Sequence, residues 1–474
     1  MTGGHTIGRW IRDRARTTPD RVAIDFTGRT LTYAELDEAS DRLAGSFLAR
    51  GLQRGDRVAT LTGNSPEHVA VFFACAKAGL ILAPLSWRLA PAEIAYQLDD
   101  AEPALFLVED EHAALAEAAG HPFERLVLPG DVPGQSRDMA VQDDDPLLLV
   151  YTSGTTGRPK GALLTHANCF WTNLSFDLAT GVSGDDVVLQ VLPQFHCGGW
   201  NVQPLLAWWK GARVVLERGF DPARCLALIE EKRVTTMMGV PATYLFLSQE
   251  PAFGSTDLSS LRCAVVGGAP MPEALLELWL ERDVAIVQGY GLTEAAPNVL
   301  CLPPEDAVRK LGSAGKPYPH VDVRLSDEGE LQVSGPNVFA GYWRNPDATA
   351  ETVVDGWLLT GDVAERDDEG FYRIKGRLKD MYISGGENVY PAEVESVLHE
   401  HPAVADAAVV GVPDERWGEI GVAFVVPARD VSEEELVDFV RDRLARFKAP
   451  KAVRFVDSLP RSAIGKVLKE QLRA

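Results

Sequence analysis

The chain has 474 residues, a formal net charge of −22 and a pI near 4.9, and it exceeds what one hydrophobic core usually supports, so two or more domains are expected. With 46% hydrophobic and 24% charged residues it reads as an ordinary globular protein. The acidic surplus argues against nucleic acid or an anionic membrane surface as partner, since both demand clustered Lys and Arg; small anions remain possible, because backbone amides and one lysine can hold them.

In chain order, MTGGHTIGRWIRDRARTTPDR lacks the apolar run of a leader peptide, and a cytoplasmic protein is expected. TYAELDEASDRLAGSFLARG (32–51) predicts an amphipathic helix with Leu36, Leu43 and Leu48 on its apolar side and Gly51 at its end. GDRVATLT (55–62) predicts a strand, EHVAVFFACAKAG (67–79) a helix and LILAPL (80–85) a strand. The apolar run Val69–Leu85 is interrupted by Lys77 and Gly79 and is marginal in length for a membrane span, so no integral membrane segment is expected. Asp143–Asp145 predicts a solvated turn. LLLVYTSGTTGRPKGALLTH (147–166) predicts a strand, a loop and then a helix.

Further on, ARVVLE (212–217), VTTMMGV (234–240), CAVVGG (263–268) and AIVQGY (285–290) are short strands alternating with helical stretches, the order of a parallel sheet with covering helices. LPPEDAVRKLGSAGKPYP (302–319) breaks the rhythm, and VDVRLSDEGELQVSGPNVFAGYW (321–343) predicts antiparallel hairpins turning at Asp-Glu-Gly and Ser-Gly-Pro. The fold class expected is α/β. A large multi-layer N-terminal domain (1–376), with parallel sheets, helices and a small β-barrel-like part, precedes a small mobile α+β C-terminal domain (377–474). The six cysteines contain no C-x-x-C pair and predict small buried hydrophobes in a reducing compartment.

The densest chemical signal is the loop carrying Ser153, Gly154, Thr155, Thr156, Gly157 and Lys160. Glycines and hydroxyls let backbone amides and side chains wrap a phosphate closely, and Lys160 adds a point charge. Only two residues separate Gly154 from Gly157, so the spacing is not that of a Walker A loop.

YTSGTTGRPKG (151–161) closely resembles the phosphate loop of the adenylate-forming superfamily: acyl- and aryl-CoA synthetases, carrier-protein adenylation domains and beetle luciferases. Further motifs of that superfamily follow in order over almost the whole chain. The resemblance implies ATP, Mg²⁺ and CoA as cofactor and co-substrates, with Thr152 through Gly157 and Lys160 on phosphate. QGYGLTE (288–294) is similar to a motif in which Gln288, Gly289 and Gly291 line the nucleotide, Tyr290 stacks on adenine and Thr293 meets phosphate. Glu294, with Thr156, then holds the metal; a hard cation does want oxygen ligands. VVGGAP (265–270) resembles the segment whose Gly267, Gly268, Ala269 and Pro270 line the adenine and acyl pocket.

The resemblance places Asp362 on both ribose hydroxyls, which one carboxylate can accept from together, with Ile374 and Arg377 completing the nucleotide set. Lys379 matches the hinge by position; many relatives carry Asp there. Ser384, Gly385, Gly386 and Glu387 match a loop at the pantetheine tunnel, and Trp417, with Arg88, is placed by position at CoA. PRSAIGKVLK (460–469) resembles the terminal motif and makes Lys466 the catalytic lysine. An ammonium between two approaching anions is worth roughly 1–4 kcal/mol at 4 Å in partly solvated surroundings. LPQFHCGGW (192–200) matches the acyl-pocket motif with His196 as gate; Cys197, Gly198, Trp200, Met238, Gly267, Gly291 and Ala295 line that pocket.

The implied reaction has two halves: a carboxylate attacks the α-phosphate and expels pyrophosphate, then CoA thiol attacks the mixed anhydride and AMP leaves. Gly291 stands where acetate-type relatives carry Trp, and PATYLFL (241–247) lacks the Arg of malonate-type ones. The expected acid is therefore a medium or long fatty acid or an arylacrylic acid. Other acceptors stay open, namely a carrier-protein thiol, an amine or a nitrite-type nucleophile; no carrier domain is expected, since the chain stops eight residues past Lys466. A luciferase-type oxygenase shares these motifs. A non-catalytic nucleotide sensor requires loss of Lys466, Glu294 or Asp362, and all three are present.

Overall fold

Short strands buried on both faces are the signature of a parallel sheet covered by helices, and Ile81–Leu85 and Cys263–Val266 are buried at every residue. The computed structural model describes residues 4–127, 140–152, 158–384, 387–414, 416–461 and 467–473. They fall into two units, one of Met1–Met271, Glu277–Val323 and Val333–Leu358, the other of Pro272–Leu276, Arg324–Gln332 and Leu359–Ala474.

The first unit contains two sheets. In the nine-stranded one, Ile286–Gly291, Cys263–Val266, Thr236–Gly239, Val187–Gln190, Arg213–Leu216 and Val22–Phe26 run in that order, all neighbours parallel. The seven-stranded sheet has the order Gly341–Tyr342, Lys160–Thr165, Pro146–Thr152, Ile81–Leu85, Arg57–Leu61, Leu105–Val108, Glu124–Arg125. Its first two pairings are antiparallel and the rest parallel.

The apolar run at 69–85 is a helix, Pro66–Ala78, buried everywhere except Glu67, followed by a buried strand. Ser65 caps the helix by accepting from the His68 amide, and Gly79 at φ 69° ends it. Lys77 is tolerated inside because its ammonium donates to Ser40 Oγ at 2.7 Å and Asp41 Oδ1 at 2.8 Å, and also to Asp37. No helix among the described residues is long and apolar enough to cross a membrane.

Three local expectations change. After the phosphate loop the chain returns as a strand, Lys160–Thr165, and the helix begins only at His166. A helix needs an N-cap, and the first side chain that supplies one is Thr165, which forms a reciprocal box with Asn168. The turn at Asp327–Gly329 forms, with Ser326 N donating to Glu330 O at 2.9 Å. The Ser-Gly-Pro segment, however, leads to Gly341–Tyr342 pairing with Ala162–Leu163 instead of closing a hairpin. The acidic turn is not solvated throughout: Asp145 is 8% exposed, ion-paired to Arg54, and accepts from Gln142 N at 2.9 Å.

In the second unit, the strand Trp357–Arg366 pairs antiparallel with Tyr372–Arg377 from Asp362 onward. Beyond it lies a sheet ordered Glu387–Val389, Tyr382–Ser384, Gly418–Pro427, Val404–Asp414, with Ala452–Phe455 parallel to Gly418–Pro427. Helices Pro391–His399 and Glu433–Arg441 pack Val394, Leu398, Leu436 and Val440 onto it. All six cysteines are buried and free.

Two fully buried histidines make this fold sensitive to acid. His166 Nδ1 accepts from the Ile7 amide at 3.1 Å, and burial pushes His166 and His68 down to about 4. The unfolded chain, with histidines near 6.5, binds more protons in between, so stability falls as pH drops from about 6.5 towards 4. His166→Gln is expected to remove up to one proton of that dependence, about 1.4 kcal/mol per pH unit. The check is urea midpoints from pH 4 to 7; an unchanged slope in the variant contradicts burial of the neutral ring.

Candidate active site

Thr152 ends one strand of the hairpin and Lys160 starts the other, and the two are register partners. Between them in sequence, Ser153, Gly154, Thr155, Thr156 and Gly157 lie outside the described residues, as do Lys466, Gly385 and Gly386. Strand Ile286–Gly291 of the other sheet delivers Gln288, Gly289, Tyr290 and Gly291, and a single helical turn, Thr293–Ala295, follows it. Both segments converge on the Glu294 carboxylate. Thr152 Oγ1 donates to Glu294 Oε1 at 3.3 Å and the Tyr342 hydroxyl donates to the same oxygen at 2.8 Å. Lys160 Nζ stands 5.1 Å from the Tyr342 ring centroid.

The donor set suits a hard divalent cation: one carboxylate whose Oε1 is fixed by two hydroxyls, while Oε2 takes no hydrogen bond among the described residues. Magnesium is held by one or two carboxylates together with substrate phosphates. Tyr342 was not singled out by sequence. Its signal is Gly341, at φ 132°, where a Cβ would stand 2.9 Å from the Thr349 side chain of the following helix; a glycine in a strand marks close approach of another element.

Around the proposed acid pocket, Met238 lies beside Gly267, the residue just past the neighbouring strand, with Met238 Cε 3.0 Å from where a Gly267 Cβ would lie. Gly267 is buried, whereas Gly268, Ala269 and Pro270 are exposed. Gln288 is committed to the core, its amide donating to Ser313 O at 3.1 Å. Ala295 is fully buried.

His196 is half-buried, its ring 4.6 Å from that of Phe195. The loop bearing it is pinned by Asn64, which the sequence did not reveal. Asn64 Nδ2 donates to Leu192 O at 3.0 Å and to Glu217 O at 3.1 Å, and its Oδ1 accepts from Gln194 N at 2.9 Å. Trp200 is fully buried, stacked on Phe72 at 4.6 Å, and donates to Gln194 O at 2.7 Å. It therefore supports the loop from the core. Cys197 is buried, and its sulfur accepts from Asn201 at 3.7 Å; Gly198 is half-buried. Arg88 lies over the rings of Trp87 and Phe195 at 5.0 and 5.8 Å.

In the second unit, Asp362 is 6% exposed and faces Arg377 in register, with Arg377 Nε 3.1 Å from Asp362 Oδ1. Ile374 is half-buried on the same strand, and Lys379 is exposed in a short turn. Ser384 is buried and pairs with both Glu387 and Gly418. Trp417 is 40% exposed, with Arg416 and Lys451 over its ring at 5.2 and 5.4 Å.

The absence of a side chain at Gly291 has a local cause besides room for substrate. A Cβ there would come within 1.7 Å of Pro297 O, the oxygen that accepts from Leu292 N. Gly291→Ala is therefore expected to distort the turn bearing Thr293 and Glu294, costing about 1–3 kcal/mol of stability and weakening ATP binding along with acid binding. Calorimetric titration with ATP checks this; a variant with native ATP affinity and altered acid preference would leave only the pocket role.

Residues 11–343 match the AMP-binding enzyme family and residues 393–466 its C-terminal domain. The chain is 44% identical to a feruloyl-CoA synthase of Amycolatopsis sp., covering 98% of each chain. It is 41% identical to an indoleacetate–CoA ligase of Aromatoleum aromaticum, over 98% of this chain and 97% of the relative. ATP-bound MatB from Rhodopseudomonas palustris superposes with a TM-score of 0.91 at 34% identity, over 99% of this chain and 98% of that one. The hairpin of Pro146–Thr152 and Lys160–Thr165, the Glu294 turn and the Asp362–Arg377 pair all lie in a chain that belongs to the AMP-binding enzyme family.

Proposed function

We propose that this AMP-binding family member is an ATP-dependent, AMP-forming carboxylic acid–CoA ligase acting on an aryl-substituted acid, with an arylacrylic acid as the first choice. The observation that carries the reading is the convergence of Thr152 and Tyr342 on Glu294, with Lys160 over the Tyr342 ring, which supports a lysine and a fixed carboxylate acting together on a phosphate. Relatives named for feruloyl-CoA and indoleacetate support an aromatic acid. So does the soft contact of Met238 over Gly267, since a thioether packs well on aromatic rings.

In the first half-reaction the acid's carboxylate oxygen attacks the α-phosphorus of ATP, and the bond to the bridging oxygen breaks with release of pyrophosphate. A bound Mg²⁺ would screen the phosphate charge. Lys160 adds charge at the loop, and Lys466 is assigned to the space between carboxylate and α-phosphate. Asp362 accepts from the ribose hydroxyls, with Arg377 holding its carboxylate in place. In the second half the CoA thiol, losing its proton, attacks the acyl carbon and AMP leaves. The small domain, proposed as 377–474, turns about Lys379 between the halves, a lid motion of the kind that often limits turnover.

Trp417, flanked by Arg416 and Lys451, offers a stacking face and two cations to the CoA nucleotide. The six buried free thiols support a reducing, cytoplasmic setting.

Two experiments test this. AMP, pyrophosphate and thioester are measured across cinnamic and fatty acids, with and without CoA. A CoA-dependent thioester formed preferentially from cinnamates is expected; preferential turnover of fatty acids overturns the substrate class, and CoA-independent turnover overturns the acceptor. Lys466→Ala is expected to suppress adenylate formation at least a hundredfold, in line with loss of one transition-state donor, while sparing thioester formation from synthetic acyl-adenylate. Equal loss in both halves overturns its role.

A further inference from the structure

We infer that Tyr342 is a positioning residue that sets the metal-facing oxygen of Glu294 and seats Lys160, coupling the two sheets of the first unit at the triphosphate. The inference rests on the proposed reading of Glu294 as the metal contact.

Three observations carry it. The Tyr342 hydroxyl donates to Glu294 Oε1 at 2.8 Å, the shorter of the two hydrogen bonds on that oxygen. Two donors on one oxygen restrict rotation of the carboxylate and leave Oε2 free to meet a cation. The same ring lies under Lys160 Nζ at 5.1 Å, where its negative face attracts the ammonium. Finally, Tyr342 is itself immobilised. It pairs with Ala162 on the return strand of the phosphate hairpin, its amide donates to Thr349 Oγ1 at 2.9 Å, and its ring packs edge-on against Phe339 at 4.9 Å. Trp343 N donates to Gly161 O at 2.7 Å just beyond it.

The hairpin belongs to the seven-stranded sheet and Glu294 follows a strand of the nine-stranded one. One side chain thus ties a loop cation and a metal-binding carboxylate that arise from different sheets. Partners behind a metal ligand typically contribute 10–100-fold to metal affinity.

The test uses the full-length chain and calorimetric titration of ATP at graded free Mg²⁺, with a matched series in EDTA. Tyr342→Phe keeps the ring under Lys160 and removes only the hydroxyl. It is expected to raise the free Mg²⁺ needed for half-maximal gain in ATP affinity about tenfold, with metal-free ATP affinity unchanged within about twofold. Tyr342→Leu is expected to weaken metal-free ATP binding as well, because the ring is lost. Glu294→Gln serves as reference. If it keeps the native Mg²⁺ dependence, the reading of Glu294 falls; if it loses that dependence while Tyr342→Phe does not shift it, the Tyr342 inference alone is overturned. A Tyr342→Phe variant that weakens metal-free and Mg²⁺-supported binding equally has only a structural defect, which also overturns the inference.

Discussion

Two hydroxyls donating to one oxygen of Glu294 are the interaction that ties the first unit's two sheets together at the candidate site. Each comes from a neighbouring strand: Thr152 from the outgoing arm of the 146–165 hairpin, Tyr342 from the edge strand paired with its returning arm. The carboxylate sits on a turn that glycine at 291 allows and that Pro297 O closes. Charge-assisted hydrogen bonds of this kind are about twice as strong as neutral ones. They also fix geometry before substrate arrives, which is what electrostatic catalysis requires.

The histidine loop shows the same economy in a different form. A loop over a sheet would normally leave backbone groups exposed to water, yet here they are answered by buried amides. Asn64 holds two carbonyls and one amide, and Gln190 donates to Leu192 O and Gly199 O at 2.9 and 3.1 Å. Gly199 is pressed against Pro193 O so closely that a Cβ would lie 2.2 Å from it. His196 is therefore carried on a polar framework rather than on packing alone.

Much of this was legible in the sequence, and what was missed has a common cause. Parallel strands announced themselves by apolar runs at 212–217, 234–240, 263–268 and 285–290, because burial on both faces leaves no polar positions to confuse the pattern. Thr152 and Lys160 were visible together in one motif, but their joining to Glu294 through Tyr342 was not, since those contacts cross long separations in sequence. The return strand Lys160–Thr165 was read as helix because GALLT lacks strict alternation and the deciding signal, the Thr165–Asn168 cap, lies at its far end. Gly341–Tyr342 is a two-residue edge strand, too short to carry any periodicity. Asp145 looked solvated because its partner, Arg54, is ninety-one positions away.

The cysteines acquire a meaning that their scattering in the sequence did not suggest. An enzyme that makes acyl-adenylates and thioesters handles potent electrophiles, and any protein thiolate within reach would compete with CoA and become acylated. Only the thiolate is a competent nucleophile. Cys197 directly follows His196, yet it is buried, and burial pushes its thiol far above neutral pH. Burial does the same for Cys75, Cys169, Cys225, Cys263 and Cys301. The fold thereby keeps its own sulfur chemically silent, and the only thiol able to intercept the activated acid is the one that diffuses in from solution.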